Sequence, residues 1–225
     1  GRRLAGGALS RIRASLSHME GNEMNEERIE ELEGAASLYA FLSSVFLTLP
    51  DKEFLDSLAS LDPEPTESAG YNAIVAYARD IAGQDHEEAL MELARDRARL
   101  MRGANNEGME PPYESLYVKA GTQSNIMNGS INRFFADAGF AKSSEVKDAP
   151  EQLGVEINFA ATLMQHEAVA LREDDAESAG YWREMRERFR EQHLGRWAHA
   201  YAKAMHEHAN TKFYQGVALL IEEAV

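Results

Sequence analysis

Apolar residues recur every three or four positions along most of this chain, the period of a helix with one buried face. Over 24–49, Ile29, Leu32, Ala36, Tyr39, Leu42 and Phe46 fall on one stripe, and Pro50 stops it. Short helices are predicted over 51–61, 69–82 and 85–101, the last two ended by Gly83 and Gly103. A further helix lies within 128–140, with Ser130 as its cap. After the polar stretch "AKSSEVKDAP", the best linker in the chain, four more are predicted over 151–172, 176–191, 193–208 and 210–223. No useful run of alternating residues and no internal repeat is present. The pattern predicts an all-α bundle of about ten helices.

Composition sharpens this picture. The 225 residues hold 38 acids against 23 bases, a formal charge of −15, which repels nucleic acid and anionic lipid and would attract a basic partner. Cysteine is absent, which removes disulfides, thiolate nucleophiles and cysteine-based metal sites and suits a reducing cytosol. No run of eighteen apolar residues occurs, so no membrane insertion is expected. Residues 1–23 differ from the rest: they hold four Arg and two Glu, and "SHM" before Met24 reads as a cloning scar. They are expected to be a vector-derived or mobile tail. Their two adjacent Arg and mildly apolar helical pattern crudely imitate a leader peptide. Residues 2–16 are therefore expected to form a helix, docked through Arg2, Arg3, Leu4, Leu9 and Ile12 near Tyr113 and Glu151, or held by neighbouring molecules.

Three constellations could carry chemistry. On the helix after Pro150, Leu153, Val155, Ile157, Phe159, Ala160, Leu163, Met164 and Ala168 form one apolar arc, and Glu156 falls inside it. A buried acid needs a partner. Glu156 is either a structural carboxylate bonded to a helix end or an Arg, or an acid poised for a basic ligand. His193, Leu194, Trp197, Tyr201, Ala204 and His208 share a second stripe, either a ligand face or plain core. The seven histidines lack metal-ligand spacing: His199 and His206 are seven apart, and there is no HExxH. No phosphate loop, GxGxxG or GxSxG occurs, so neither a catalytic residue nor a cofactor is predicted. The third constellation is the loop "GMEPPYESLY", where Pro111 and Pro112 hold the backbone extended between Tyr113 and Tyr117. It is either the rigid lip of a peptide groove or a well-packed crossing between helical layers.

Four segments in order resemble the TorD/DmsD family of cytoplasmic redox-enzyme maturation chaperones. "RDRARLMRG" is similar to the family's D-Y-x-R-L-F-x-G run at Asp96, Arg99, Leu100 and Gly103, departing at Arg97 and Met101. "PPYESLY" resembles its P-P-[WY]-x-S-[VL]-Y loop at Pro111, Pro112, Tyr113, Ser115 and Tyr117. "APEQLGVEINFA" is similar to its P-D-H-[IL]-x-x-E-[LI]-x-F-M hinge at Pro150, Leu153, Glu156, Ile157 and Phe159. Glu151 and Gln152 stand where Asp and His are usual, so the acid is kept and the imidazole is not. "FREQHLGRW" matches F-x-x-x-H-L-x-x-W at Phe189, His193, Leu194 and Trp197, and "FYQGVALLI" also fits. The likeness spans roughly residues 24–225.

The resemblance implies a non-catalytic helical chaperone that holds the apo form of a molybdopterin oxidoreductase, through its twin-arginine leader, until the cofactor is inserted. It implies parts 24–142 and 143–225 joined by a hinge near 141–152, and a monomer or a helix-exchanged dimer. Such a leader offers two guanidinium groups and an apolar helix, so its site needs carboxylates beside an apolar groove. Expected client contacts are Pro111, Pro112, Tyr113, Glu114, Ser115 and Tyr117 on the loop. Glu151, Gln152, Glu156 and Phe159 are expected on the hinge, with Arg99 and Leu100 beside them. His193, Leu194 and Trp197 are expected to be structural. Two other readings remain: a nitrate-reductase-type assembly chaperone whose client lacks an export signal, and a helical hydrolase or nucleotide-dependent enzyme.

Overall fold

The computed structural model describes residues 2–102, 109–118, 123–142 and 146–225, with side chains from Asn25 onward. The described residues are helical, without strands. Helix α1 (Arg2–Leu47) is followed by α2 (Lys52–Ala59), α3 (Ala69–Asp80) and α4 (His86–Arg102). A single turn, α5 (Glu114–Tyr117), precedes α6 (Ser124–Asp137). Then come α7 (Leu153–Arg172), α8 (Ala176–Gln192), a 3₁₀ turn at Leu194–Arg196, α9 (Ala198–His208) and α10 (Lys212–Ala224). The boundary expected at residue 24 falls within α1, and Gly103 lies outside the described residues. So do the side chains of Arg2, Arg3, Leu4, Leu9 and Ile12, on which the docking expectation rests.

Local chemistry sets the helix starts. Asp51 accepts from the Phe54 amide at 2.8 Å, Ser68 from Tyr71 at 3.0 Å and Asp175 from Ser178 at 3.0 Å, each satisfying an orphan donor of the first turn. Two starts differ from expectation. Helix α6 begins at Ser124, six residues before Ser130, which lies in its interior. The helix expected over 193–208 is broken, because His193 adopts φ −131° and ψ −97° and Trp197 φ −140° and ψ −25°. A 3₁₀ turn lies between them, and the Trp197 ring still packs 6.3 Å from Tyr201 of α9.

Helix α1 packs along α7, and α3 along α10, so elements from either side of the expected hinge interleave in one core. All six residues of the α1 stripe are buried, as is the whole apolar arc of α7. Burial of each large side chain is worth about 1.5–3 kcal/mol. Close crossings need glycine. A Cβ on Gly216 would lie 2.7 Å from the Gly70 carbonyl oxygen, and one on Gly154 would lie 2.6 Å from Phe46 Cβ. At the second crossing Ser43 also donates to the Gly154 carbonyl at 2.8 Å. Arg97, one of the departures from the family pattern, is buried and donates to the Val45 and Phe46 carbonyls, capping α1. Burial lowers its pKa.

Candidate functional site

The two prolines and the hinge meet through backbone. Tyr113 pairs with Gln152 in an isolated antiparallel bridge, with Glu114 N donating to Glu151 O at 3.0 Å and Leu153 N to Pro112 O at 3.0 Å. Tyr113 N donates to Pro111 O at 2.8 Å, closing a γ-turn that the proline dihedrals favour. The Gln152 side chain accepts from the Val155 amide at 3.2 Å and starts α7. A chain segment distant in sequence is thereby fixed to the first turn of the central helix.

Beneath this junction lies a polar cluster in an apolar surround. Glu151 is buried, and both of its oxygens are engaged: Oε2 by the Ser115 amide at 2.8 Å, Oε1 by the Ser124 hydroxyl and by Asn128 Nδ2 at 3.1 Å. Its own amide donates to Asn128 Oδ1 at 3.1 Å. Glu114 is fully buried and its Oε2 accepts from His193 Nδ1 at 2.8 Å. His193 Nε2 lies 3.0 Å from the Ser130 hydroxyl. Glu156, also fully buried, accepts from Trp197 Nε1 at 3.3 Å through Oε2. Among the described residues, the other oxygens of Glu114 and Glu156 meet no donor. Burial, foremost, raises the pKa of Glu156 well above the carboxylate range, and the charges of Glu114 and Glu151 add to this against the Trp197 bond.

This arrangement revises several expected roles. Glu114, Glu151 and Glu156 do not line an open groove for guanidinium groups; they are inside, with internal partners. Among the described residues Glu156 is bonded to neither a helix end nor an Arg, but to an indole, with the Glu114 carboxyl acting on it as a neighbouring charge. Phe159 presents no apolar lip either: it is fully buried among Phe135, Phe140 and Phe189 at ring distances of 4.8–5.2 Å. Leu100 is buried in the core. Arg99 bonds Asp96 at 2.9 Å and the His208 carbonyl. Asp96 itself accepts from the amides of Asn210 and Thr211 and from the Thr211 hydroxyl, at 2.9–3.0 Å, holding the start of α10. That family-like segment therefore serves the interior. His193, Leu194 and Trp197 are buried.

The outer surface of the junction is formed by other residues. Pro111, Tyr113, Ser115 and Tyr117 are half-buried, and Pro112 is covered. The Tyr117 ring packs 5.6 Å from Trp197, and its hydroxyl donates to the Glu110 carbonyl at 2.6 Å. The Tyr113 hydroxyl faces Asp148 at 3.4 Å; burial and then that carboxylate raise its pKa. Leu116 remains 47% exposed and Ile126 62% exposed, each within two residues of a group bonded to Glu151. Ile126 also borders a shallow groove of about 480 Å³ lined by Met127, Ser130, Glu191, His193 and Arg196. Sequence reasoning missed Leu116 and Ile126. Neither belongs to a helical stripe long enough to read, so each is a weak signal without the fold. Among the described residues, no group of three or more His, Asp or Glu could hold a metal ion, and no helix is long and apolar enough to cross a membrane.

The family model described as "Nitrate reductase delta subunit" matches residues 64–203, and the chain belongs to that family. This is the NarJ/TorD type of redox-enzyme maturation chaperone, which assists assembly of molybdoenzymes and is a chaperone rather than a catalytic family. No curated protein matches the sequence.

Proposed function

We propose that this protein holds the apo catalytic subunit of a molybdopterin oxidoreductase in the cytoplasm by its twin-arginine leader, until cofactor insertion and before export. The observation that carries this reading is the Tyr113–Gln152 bridge, which fixes the Pro-Pro loop to the hinge beside exposed Leu116 and Ile126. An apolar leader segment would cover those two side chains. The guanidinium groups would meet Glu110, Asp148 and Glu191, which are exposed or half-exposed around the same surface. The prolines hold the loop beforehand, so little ordering entropy is lost on binding.

Calorimetry with a synthetic leader tests this. Binding should weaken as salt rises, and an Arg-Arg→Ala-Ala leader should bind at least tenfold more weakly. Equal affinity for both leaders contradicts an arginine-reading site. The family's description favours a second reading, a nitrate reductase subunit without an export signal as client. That reading is supported instead if the leader does not bind but the amino-terminal segment of such a subunit does.

A further inference from the structure

Two fully buried, interacting carboxyl groups lie below the client loop, Glu114 from α5 bonded to His193 and Glu156 from α7 bonded to Trp197. Among the described residues, each leaves Oε1 without a donor. Two ionised carboxylates cannot satisfy one another; a carboxylic acid and a carboxylate can, through one proton. The surroundings say where that proton resides. Glu114 Oε2 takes a hydrogen bond from His193 at 2.8 Å, whereas Glu156 Oε2 has only the Trp197 indole at 3.3 Å. Glu151, the third acid, already has both oxygens occupied. Glu156, the carboxyl with the weaker donor, is therefore the member better placed to stay neutral and to offer its proton to the Glu114 carboxyl.

We propose that Glu156 is a positioning residue for the client loop, holding Glu114 and hence the 111–117 loop in place through a proton the two carboxyls share. This inference rests on the client surface proposed above and adds its regulation. The titratable groups around the pair are Glu114, Glu151 and His193; Tyr117 and Tyr201 lie beyond the Trp197 ring, at 5.6 and 6.3 Å. Loss of the proton would set a second negative charge against Glu114, with Glu151 as a third. One of the elements carrying these charges must yield. Helix α7 is packed in the core, while α5 is a single turn tied to the hinge by the two backbone bonds of the bridge. The loop is the part that gives. Client affinity should fall as pH rises, and client binding should take up protons. Glu156→Gln makes the same contacts without a proton: its carbonyl accepts from Trp197 and its amide donates to Glu114.

Hydrogen exchange on the full, client-free chain tests the coupling without assuming any client. From pH 5.5 to 8.5, corrected for intrinsic chemistry, protection of residues 111–118 should fall relative to α7 in the parent and stay constant in Glu156→Gln. Parallel behaviour of the two proteins, or pH-independent protection in the parent, overturns the proposal. Glu114→Gln is the second variant, since it too removes the need to share, and it should also give constant protection. Calorimetry with the leader in two buffers of different ionisation enthalpy adds a second readout. Parent affinity should drop by up to about tenfold per pH unit, the effect of one linked proton, and Glu156→Gln should show no such drop. A role confined to stability would lower affinity equally at every pH. If the leader does not bind at all, the client reading fails while the exchange result still decides the coupling.

Discussion

Glu156→Gln is the most informative single change for the interior of this protein. A basic partner for Glu156 would make the substitution costly, about 3 kcal/mol at any pH, by leaving a buried cation alone. Among the described residues Glu156 meets no such partner; its neighbours are Trp197 Nε1 at 3.3 Å and the Glu114 carboxyl. Glutamine can satisfy both, so near pH 5 the variant should lie within about 1 kcal/mol of the parent. The difference then grows with pH. Burial, aided by the charges of Glu114 and Glu151, raises the folded-state pKa of Glu156 above its unfolded value. Its stabilising contribution is therefore complete below the unfolded pKa of about 4.3 and is lost as pH climbs through the folded value. In that window the folded chain retains one proton that the unfolded chain releases. One proton corresponds to a slope of about 1.4 kcal/mol per pH unit. Urea melts at pH 5, 6 and 7 should show Glu156→Gln gaining on the parent by up to about 3 kcal/mol across that range. For a chain of this size the gain amounts to about 6–12 °C in Tm. Every other titrating group is common to both proteins and cancels in the difference. Curves that stay parallel, or a variant weaker by about 3 kcal/mol at every pH, refute the shared proton.

Other residues make separate predictions. Leu116→Ser with Ile126→Ser should lower leader affinity by about tenfold, from the apolar area no longer covered, and leave the melting temperature within about 2 °C; calorimetry and a thermal melt on the same sample check both. Asp96→Ala should cost about 3 kcal/mol in urea melts, because it strips the amides of Asn210 and Thr211 and leaves Arg99 without its carboxylate. Trp197→Phe should narrow the pH range of stability from the alkaline side, since the indole is the bond that favours the Glu156 anion. A fluorophosphonate probe should leave Ser130 unlabelled: it bonds His193, but it lies inside α6, where its amide belongs to the helix ladder and supplies no oxyanion donor. Labelling lost in Ser130→Ala would establish a hydrolase.

The 3.6-residue period carried the helices and the core, because burial of one face is what that period records. Ile29 through Phe46 on α1 and Leu153 through Ala168 on α7 are buried as their spacing indicates. The start of α6 was illegible, since Gln123 caps it without a side-chain bond and "SNIMNGS" has the polar composition of a loop. The break at His193 was equally hidden. His193 is drawn to Glu114, 79 positions away in sequence, and no local pattern encodes that bond. The same applies to the acids. Position within "PPYESLY" or "APEQLGVE" cannot show that Glu114 and Glu151 turn inward, because a single helical turn and a bridge residue have no periodicity to read. The resemblance to a family located the right segments. Many of their matched residues, Asp96, Leu100, Phe159 and Trp197 among them, serve the interior, and the outward surface falls to Leu116 and Ile126.

The central claim is that client peptide lies over the junction of the proline loop and the hinge. It is tested most directly by placing a photo-crosslinking amino acid at position 116, at 126 and at the exposed Met91 of α4, which is remote in the chain. Each protein is irradiated with a twin-arginine leader, or with the amino-terminal segment of a non-exported molybdoenzyme subunit. The account predicts crosslinks from 116 and 126 and none from 91, with excess unlabelled peptide abolishing both. Crosslinking from 91 alone, or equally from all three positions, would contradict it.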